Sequence, residues 1–283
     1  MSAEPLIRNI SDTALWVAIY RAMETEQKDS VFRDPFARRL AGKRGEEIMS
    51  SIKRSQQYAW SYTARTVLID TFVQQEVANG ADMVIDLAAG LDARPYRMKL
   101  PSSLRWIEID LPEILDYKSD ILKNEKPVCQ LERIPLDLAN PASRRGVFEE
   151  LGLASRRAVV ISEGLLIYLT ADEVCALARD LAGQAPFQRW ATDLTNPALL
   201  KMLQKQIGSR LDQAGAPLKF APAEGPRYFE KCGWKPIDVR GMLHTAAKLH
   251  RLSFLFRLFA LFPDSKGEKP KAIWGGVVLL ARA

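Results

Sequence analysis

From Met83 onward, apolar runs of strand length alternate with amphipathic runs of helix length, and that alternation admits few folds. Strands are expected at residues 83–88, 105–110, 129–135, 158–162 and 189–194, with helices at 112–123, 142–151, 171–181 and 197–214. Strands separated by helices imply a parallel sheet, because a parallel pair needs a long crossover. Before Met83 no strand pattern occurs. Residues 11–80 read as helical: Leu15, Ile19, Ala22 and Met23 recur at helical spacing. A break follows at Asp34-Pro35, where Pro35 suits a helix's first turn and Asp34 can cap it. A longer helix over 55–77 stops at Asn79-Gly80. The tail reads as a helical turn at 226–232 stopped by Gly233, a strand at 235–239, a basic amphipathic helix at 242–261 and a last strand at 274–280.

The turn after the first strand, Asp86-Leu-Ala-Ala-Gly90-Leu-Asp92, and the acid ending the second, Asp110, narrow the ligand. A strand delivering a tight turn, with a carboxylate at the next strand's end for ribose hydroxyls, is how an open sheet holds an adenosine-bearing cofactor. Gly90 and Asp110 have the roughly 20-residue separation that this arrangement uses. A dinucleotide would need a glycine-rich turn for its pyrophosphate. This turn has one glycine, and Asp92 would repel a phosphate. A cofactor with positive charge and no phosphate fits, and S-adenosylmethionine has both properties.

At 283 residues, one domain with a cap is the expectation. The net charge of +6 is mild and the basic residues are scattered, so no nucleic-acid partner is expected; some attraction for acidic substrates is. Cys129, Cys175 and Cys232 are odd in number, distant and without a Cys-x-x-Cys spacing, which reads as reduced structural thiols of a cytoplasmic protein. Residues 1–8 carry no apolar signal core, and the greasiest run, 252–262, is too short to span a bilayer and carries Arg257, so no stable membrane insertion is expected. The 242–261 helix spreads its apolar residues over too wide an arc for a clean interfacial element, and is expected to pack against sheet or cap. Oligomeric state has no signature in the chain.

Six blocks together carry a family likeness: Thr13-Ala-Leu…Tyr20-Arg-Ala-Met-Glu24, Asp34-Pro-Phe-Ala37, Tyr62-Thr-Ala-Arg65-Thr, Asp86-Leu-Ala-Ala-Gly-Leu-Asp-Ala-Arg94, Glu108-Ile-Asp-Leu-Pro112 and Ser162-Glu-Gly-Leu-Leu-Ile-Tyr168-Leu. On these the chain resembles the leucine carboxyl methyltransferase family, in its bacterial small-molecule O-methyltransferase branch. The Tyr228-Phe…Gly233-Trp234 pair and the last strand extend the likeness to nearly the whole chain. The expected fold is therefore α/β of the class I methyltransferase (Rossmann-like) type. Its seven-stranded, mostly parallel sheet would have the last strand inserted antiparallel. Residues 1–80 would form a helical cap, and 81–283 the S-adenosylmethionine-binding domain with a lid insertion at about 195–232.

The resemblance also implies contacts. Arg65 would pair with the cofactor carboxylate, a task for Arg's planar fork. Gly90 would give room beside the amino-acid moiety, Asp110 would accept from the ribose, and Asp137-Leu138 would meet the adenine. Glu108 points the same way as Asp110 but deeper. Glu163 would lie near the ammonium or sulfonium, while Asp92 and Arg94 would pair to hold the turn. Where the family usually has Gly and Thr, this chain has Ala88 and Ala93.

Methyl transfer is an in-line displacement governed by alignment. A carboxylate acceptor is already ionised at neutral pH, whereas a phenol gains from a base. His244 and His250 both fall in the late basic helix, away from the motif blocks, so a carboxylate or otherwise acidic small-molecule acceptor is favoured. Tyr168, Arg21 and Tyr20 are the candidates for orienting it. Two alternatives remain: a protein C-terminal carboxyl methyltransferase, which needs an open groove, and a nicotinamide-dependent oxidoreductase, which the missing glycines disfavour.

Overall fold

The computed structural model describes residues 11–51 and 55–283. Helices α1 (Ser11–Thr25), α2 (Ala37–Ser51) and α3 (Ala59–Ala78) precede the first strand. Strands β1 (Met83–Leu87), β2 (Arg105–Asp110), β3 (Gln130–Pro135), β4 (Ala158–Ser162) and β5 (Phe187–Thr195) then alternate with α4 (Arg94–Arg97), α5 (Pro112–Leu122), α6 (Pro141–Leu153) and α7 (Ala171–Ala182). After β5 come α8 (Pro197–Leu203) and α9 (Ser209–Gln213), joined by one π-helical turn, then β6 (Trp234–Gly241), α10 (Met242–Lys248), α11 (Phe254–Phe259) and β7 (Gly275–Arg282). The seven strands lie in the order β3-β2-β1-β4-β5-β7-β6. Pairs among β1 to β5 are parallel, and β7 is inserted antiparallel between β5 and β6, as expected for this fold.

Side chains alternate across a strand, so each buried strand feeds two cores. Met83, Ile85 and Leu87 join Phe148 of α6 and Val174 and Leu177 of α7 on one face. Val84, Trp106, Val159 and Ile161 meet Leu68, Phe72 and Val73 of α3 on the other. Thus α3 flanks the sheet along most of its length, and only its first turns reach the strand ends. A third core, over those ends, joins Leu15 and Ile19 of α1, Leu40 and Ile48 of α2, Leu211 of α9, and Leu91 beside the first turn.

The helix starts follow local chemistry. Thr170 and Glu173 form a reciprocal capping box on α7, and the Asn140 and Asn196 side chains cap α6 and α8, each followed by Pro at the first helical position. Such caps contribute about 1 kcal/mol each. At the Asp34-Pro35 break, Asp34 Oδ1 accepts from the Phe36 N–H at 3.1 Å, and the helix begins at Ala37.

Two expectations are corrected here. The single helix over 242–261 is broken: His250 takes a left-handed conformation (φ 57°), with its N–H bonded to the Ala247 carbonyl and the Arg251 N–H to that of Ala246. This is a Schellman stop. Arg251 then ties the break to Glu24 at 2.9 Å. Packing is likewise divided: α10 lies on Ala64 of α3, while α11 leaves Phe254, Leu255 and Phe259 exposed.

The second correction concerns the thiols. Cys175 on α7 and Cys232 in the 225–232 turn form a disulfide across 57 residues of sequence. Their pairing comes from that turn packing against α7, which no spacing reveals. A disulfide runs against the reduced, cytoplasmic reading of the cysteines. Cys129 alone is free, and burial pushes its thiol up to about 11. Among the described residues, no helix is long and apolar enough to cross a membrane.

Candidate active site

All five parallel strands end at one edge, and the loops leaving them line a cavity of about 1580 Å³. Ligand pockets commonly measure about 300–1,000 Å³, so this one has room for two molecules.

The turn after β1 is wound tightly. Ala88 (φ 52°) and Gly90 (φ 47°) both sit in the left-handed region. That is the physical reason for a glycine at position 88 in the resembled pattern: an alanine there costs about 1 kcal/mol or more. A Cβ on Gly90 would meet Ala14 Cβ at 3.3 Å. The Gly90 N–H donates to Asp110 Oδ2 at 2.6 Å, and the Leu111 N–H to Asp110 Oδ1 at 2.7 Å. Asp110 therefore clamps the turn across the β1–β2 gap. Burial still raises its carboxyl above the usual range, against the pull of those two donors.

Around the turn lies a web of ion pairs. Arg94, fully buried, reaches Asp70 at 2.6 Å, Asp92 at 2.5 Å and Glu163 at 2.9 Å. The expected Asp92–Arg94 pair thus exists, with two further carboxylates on the same guanidinium. Arg65 bonds Glu163 at 3.1 Å and Asp193 at 3.2 Å and lies over the Tyr62 ring. Burial opposes ionisation of Glu163 and Asp92, yet Arg94 holds both carboxyls below the usual range, aided at Glu163 by Arg65. Asp86 goes the other way. Its buried Oδ2 has no hydrogen-bond partner among the described residues, and burial together with the Asp92 charge raises its carboxyl well above the usual range. Glu108 lies deeper, as expected, and is wholly taken up by Lys118 and Arg133.

Asp137 and Leu138 line the cavity beyond β3; Asp137 Oδ1 accepts from the Ala139 N–H at 2.8 Å. On the opposite wall Tyr20 stacks on Tyr62 at 4.1 Å, and Tyr168 stands in the same lining. The Tyr168 hydroxyl is pushed up by burial. Arg21 differs from its two companions, since its guanidinium donates to the Leu91 carbonyl at 2.7 Å and meets Asp34 at 3.3 Å. It braces the turn from behind.

His244 falls in α10, away from the motif blocks, yet reaches the site. Strand β6 runs parallel to β1, so its end, Gly241, comes to the same edge, and His244 one turn later lines the cavity. Its Nε2 lies 2.7 Å from the Phe262 carbonyl and its Nδ1 3.8 Å from Asp264. His250 is absent from the lining. Asp193 is a further site residue, one that the sequence motifs do not mark. It accepts from the Gly164 N–H at 2.7 Å and completes the Arg65 site. A signal for it exists all the same: it is a carboxylate at a parallel strand's C-terminal end, like Asp110.

A family model described as leucine carboxyl methyltransferase matches residues 14–182. A protein of Frankia alni named "Putative S-adenosyl-L-methionine-dependent methyltransferase" is 37% identical over 175 residues, covering 58% of this chain and 61% of that one. A Streptomyces coelicolor protein of the same description is 34% identical over 187 residues, covering 61% and 64%. The chain thus spans about three fifths of the length of the curated relatives it matches. Two solved structures share the fold. One, titled a putative methyltransferase from Thermobifida fusca, has a TM-score of 0.60 at 16% identity, covering 98% of this chain and 96% of that one. The other, a DUF574 family protein from Streptomyces avermitilis, has a TM-score of 0.56 at 14% identity, covering 94% and 97%. With a family match over more than half its residues, the chain belongs to the leucine carboxyl methyltransferase family.

Proposed function

We propose that this chain is an S-adenosylmethionine-dependent O-methyltransferase acting on a carboxylate or acidic hydroxyl of a small metabolite. The observation that carries the reading is the character of the first turn. Its single glycine gives its N–H to Asp110, and Asp86, Asp92, Glu163 and Asp193 surround it. A dinucleotide would bring a pyrophosphate into that ring of carboxylates. An ammonium and a sulfonium are compatible with it, and the unpartnered Asp86 Oδ2 is an acceptor suited to such a cation.

In this reading Asp110 meets the ribose, Asp137 and Leu138 the adenine, Gly90 and Arg65 the amino-acid moiety, and Glu163 the positive end. Arg65 is already shared by two carboxylates, so it would hold a third in competition with them. Held by these residues, the cofactor would supply an electrophilic methyl to the acceptor oxygen and leave as a neutral thioether. The chain's task is alignment and exclusion of water. Tyr20 and Tyr168 present an aromatic wall for orienting the acceptor, and Arg21 acts through the turn. An ionised carboxylate needs no base. Titration calorimetry with S-adenosylmethionine and its demethylated product tests the reading; heat that falls sharply in Asp110→Ala and Arg65→Ala is expected, and absence of heat in the parent chain rejects it.

A further inference from the structure

We propose that the α11 face and its lysine rim dock this protein on an anionic bilayer surface, with the cavity mouth turned toward the lipid. Six of the nine residues in 254–262 are exposed large hydrophobics, among them Phe254 (78% exposed), Leu261 (79%) and Phe262 (69%). Surfaces carry single apolar residues without consequence, but a contiguous patch marks a contact. The patch is held in place. Phe256 turns inward onto Trp60, with ring centroids 5.5 Å apart, and Leu252 is buried against Ala64 and Ala246. The exposed side chains are therefore presented on an anchored helix and the turn that follows it, as in an interfacial element whose apolar face enters the headgroup boundary.

Charge selects the occupant. Between residues 248 and 273 the exposed charged groups are Lys248, Arg257, Lys266, Lys269 and Lys271 against one acid, Glu268. Arg251, beside them, is neutralised by Glu24 and Asp29. An apolar face ringed by cations complements anionic lipid headgroups. A second copy of this chain fits worse, because a two-fold interface would set each cation ring against its like. The patch is also continuous with the cavity, since Phe259, Phe262, Lys269 and Lys271 belong to both. Resting on the methyltransferase reading, this geometry would admit an apolar acid from the membrane directly to the acceptor wall.

Vesicle sedimentation tests the docking, using phosphatidylcholine alone and phosphatidylcholine with phosphatidylglycerol. The expected result is binding to the anionic vesicles, at least about tenfold weaker to the neutral ones and weakened by salt. Phe254→Asp with Leu261→Asp, and separately Lys248→Glu with Lys266→Glu, should each lower it about tenfold or more. None of these four lines the cavity, so their calorimetric titration with the demethylated cofactor should match the parent chain. Docking and methyltransferase readings thereby fail separately. Protein left in the supernatant with anionic vesicles overturns the proposal, as does equal binding to both vesicle types. So does a dimer in sedimentation velocity that Phe254→Asp splits, which would assign the face to a second copy. An environment-sensitive dye on Phe254→Cys that already reports an apolar setting in buffer would assign the face to this chain's own residues, and overturns the proposal equally.

Discussion

The two walls of the cavity are built on opposite principles. The wall formed by β1, β2, β4 and β5 is fixed by charge: among the described residues every carboxylate at the strand ends except Asp86 has an arginine or a backbone N–H on it, and the fully buried Arg94 joins two of them, Asp92 and Glu163, to Asp70 of α3. The facing wall, from α1, α8 and α11, is fixed by shape, with stacked rings and half-buried side chains such as Met202 and Leu203. Buried ion pairs hold their partners to one geometry, because each unpaired charge is costly. Apolar contacts tolerate substitution at roughly constant volume. One wall is therefore suited to a constant ligand, and the other to a ligand that varies between relatives.

The largest expected effect tests that rigidity at its centre. Arg94→Ala leaves Asp70, Asp92 and Glu163 without their shared cation, and should cost about 3–5 kcal/mol in urea unfolding. The loss has a pH signature. Glu163 and Asp92 have folded-state carboxyls below their unfolded values, so their stabilisation is present above about pH 4 and lost as pH falls through the folded values. The parent chain should lose stability over that acid limb, and Arg94→Ala should lose much less. Identical slopes would mean that the web is not what holds the wall. Next in size is Asp110→Ala, which orphans the Gly90 and Leu111 N–H groups at about 1–3 kcal/mol and should abolish cofactor heat in calorimetry.

The same division governs how much is legible in the sequence. The charged wall lies at the ends of parallel strands, where alternation fixes both the strands and the edge they share; Gly90 and Asp110 are readable from those positions, whereas Asp137 and Glu163 enter only through the family resemblance. Asp193 obeys the same rule, without a motif to single it out. The shaped wall is assembled from segments far apart in the chain, Tyr20 with Tyr62 and Tyr168 and then α8 and α11, and periodicity does not encode such meetings. His244 illustrates the difficulty. Its place at the site follows from the antiparallel insertion of β7, which turns β6 so that Gly241 ends at the ligand edge and the first turn of α10 faces the cavity. The Cys175–Cys232 link is of the same kind, a product of packing between elements.

Asp86 probes the division from inside the charged wall, being its one carboxylate without a hydrogen-bond partner among the described residues. Its folded-state carboxyl is raised, first by burial and then by Asp92, so folding favours the protonated form. Stability from this group is unaffected below the unfolded value near 4, falls as pH rises toward the folded value, and stays reduced above it. Asp86→Asn should then be more stable than the parent at pH 7 and converge on it below about pH 4 in urea titrations. Cofactor affinity should nevertheless fall, since the amide cannot offer the anion that a sulfonium or ammonium would meet. A variant that neither gains stability nor loses affinity would remove Asp86 from the wall's working parts.

The smallest effect concerns Ala88, which the sequence marks as a departure and the backbone explains. At φ 52° an alanine bears the left-handed cost that a glycine avoids, while glycine carries more unfolded-state entropy. The first effect is about 1–2 kcal/mol and the second somewhat under 1, so Ala88→Gly should stabilise the chain by about 0.5–1 kcal/mol in thermal or urea unfolding. Removing the methyl also widens the space beside Gly90, and cofactor should bind slightly more tightly. If Ala88→Gly instead destabilises, the left-handed turn is imposed by the Asp110 clamp at no local cost, and the rigidity of the charged wall extends down to its backbone.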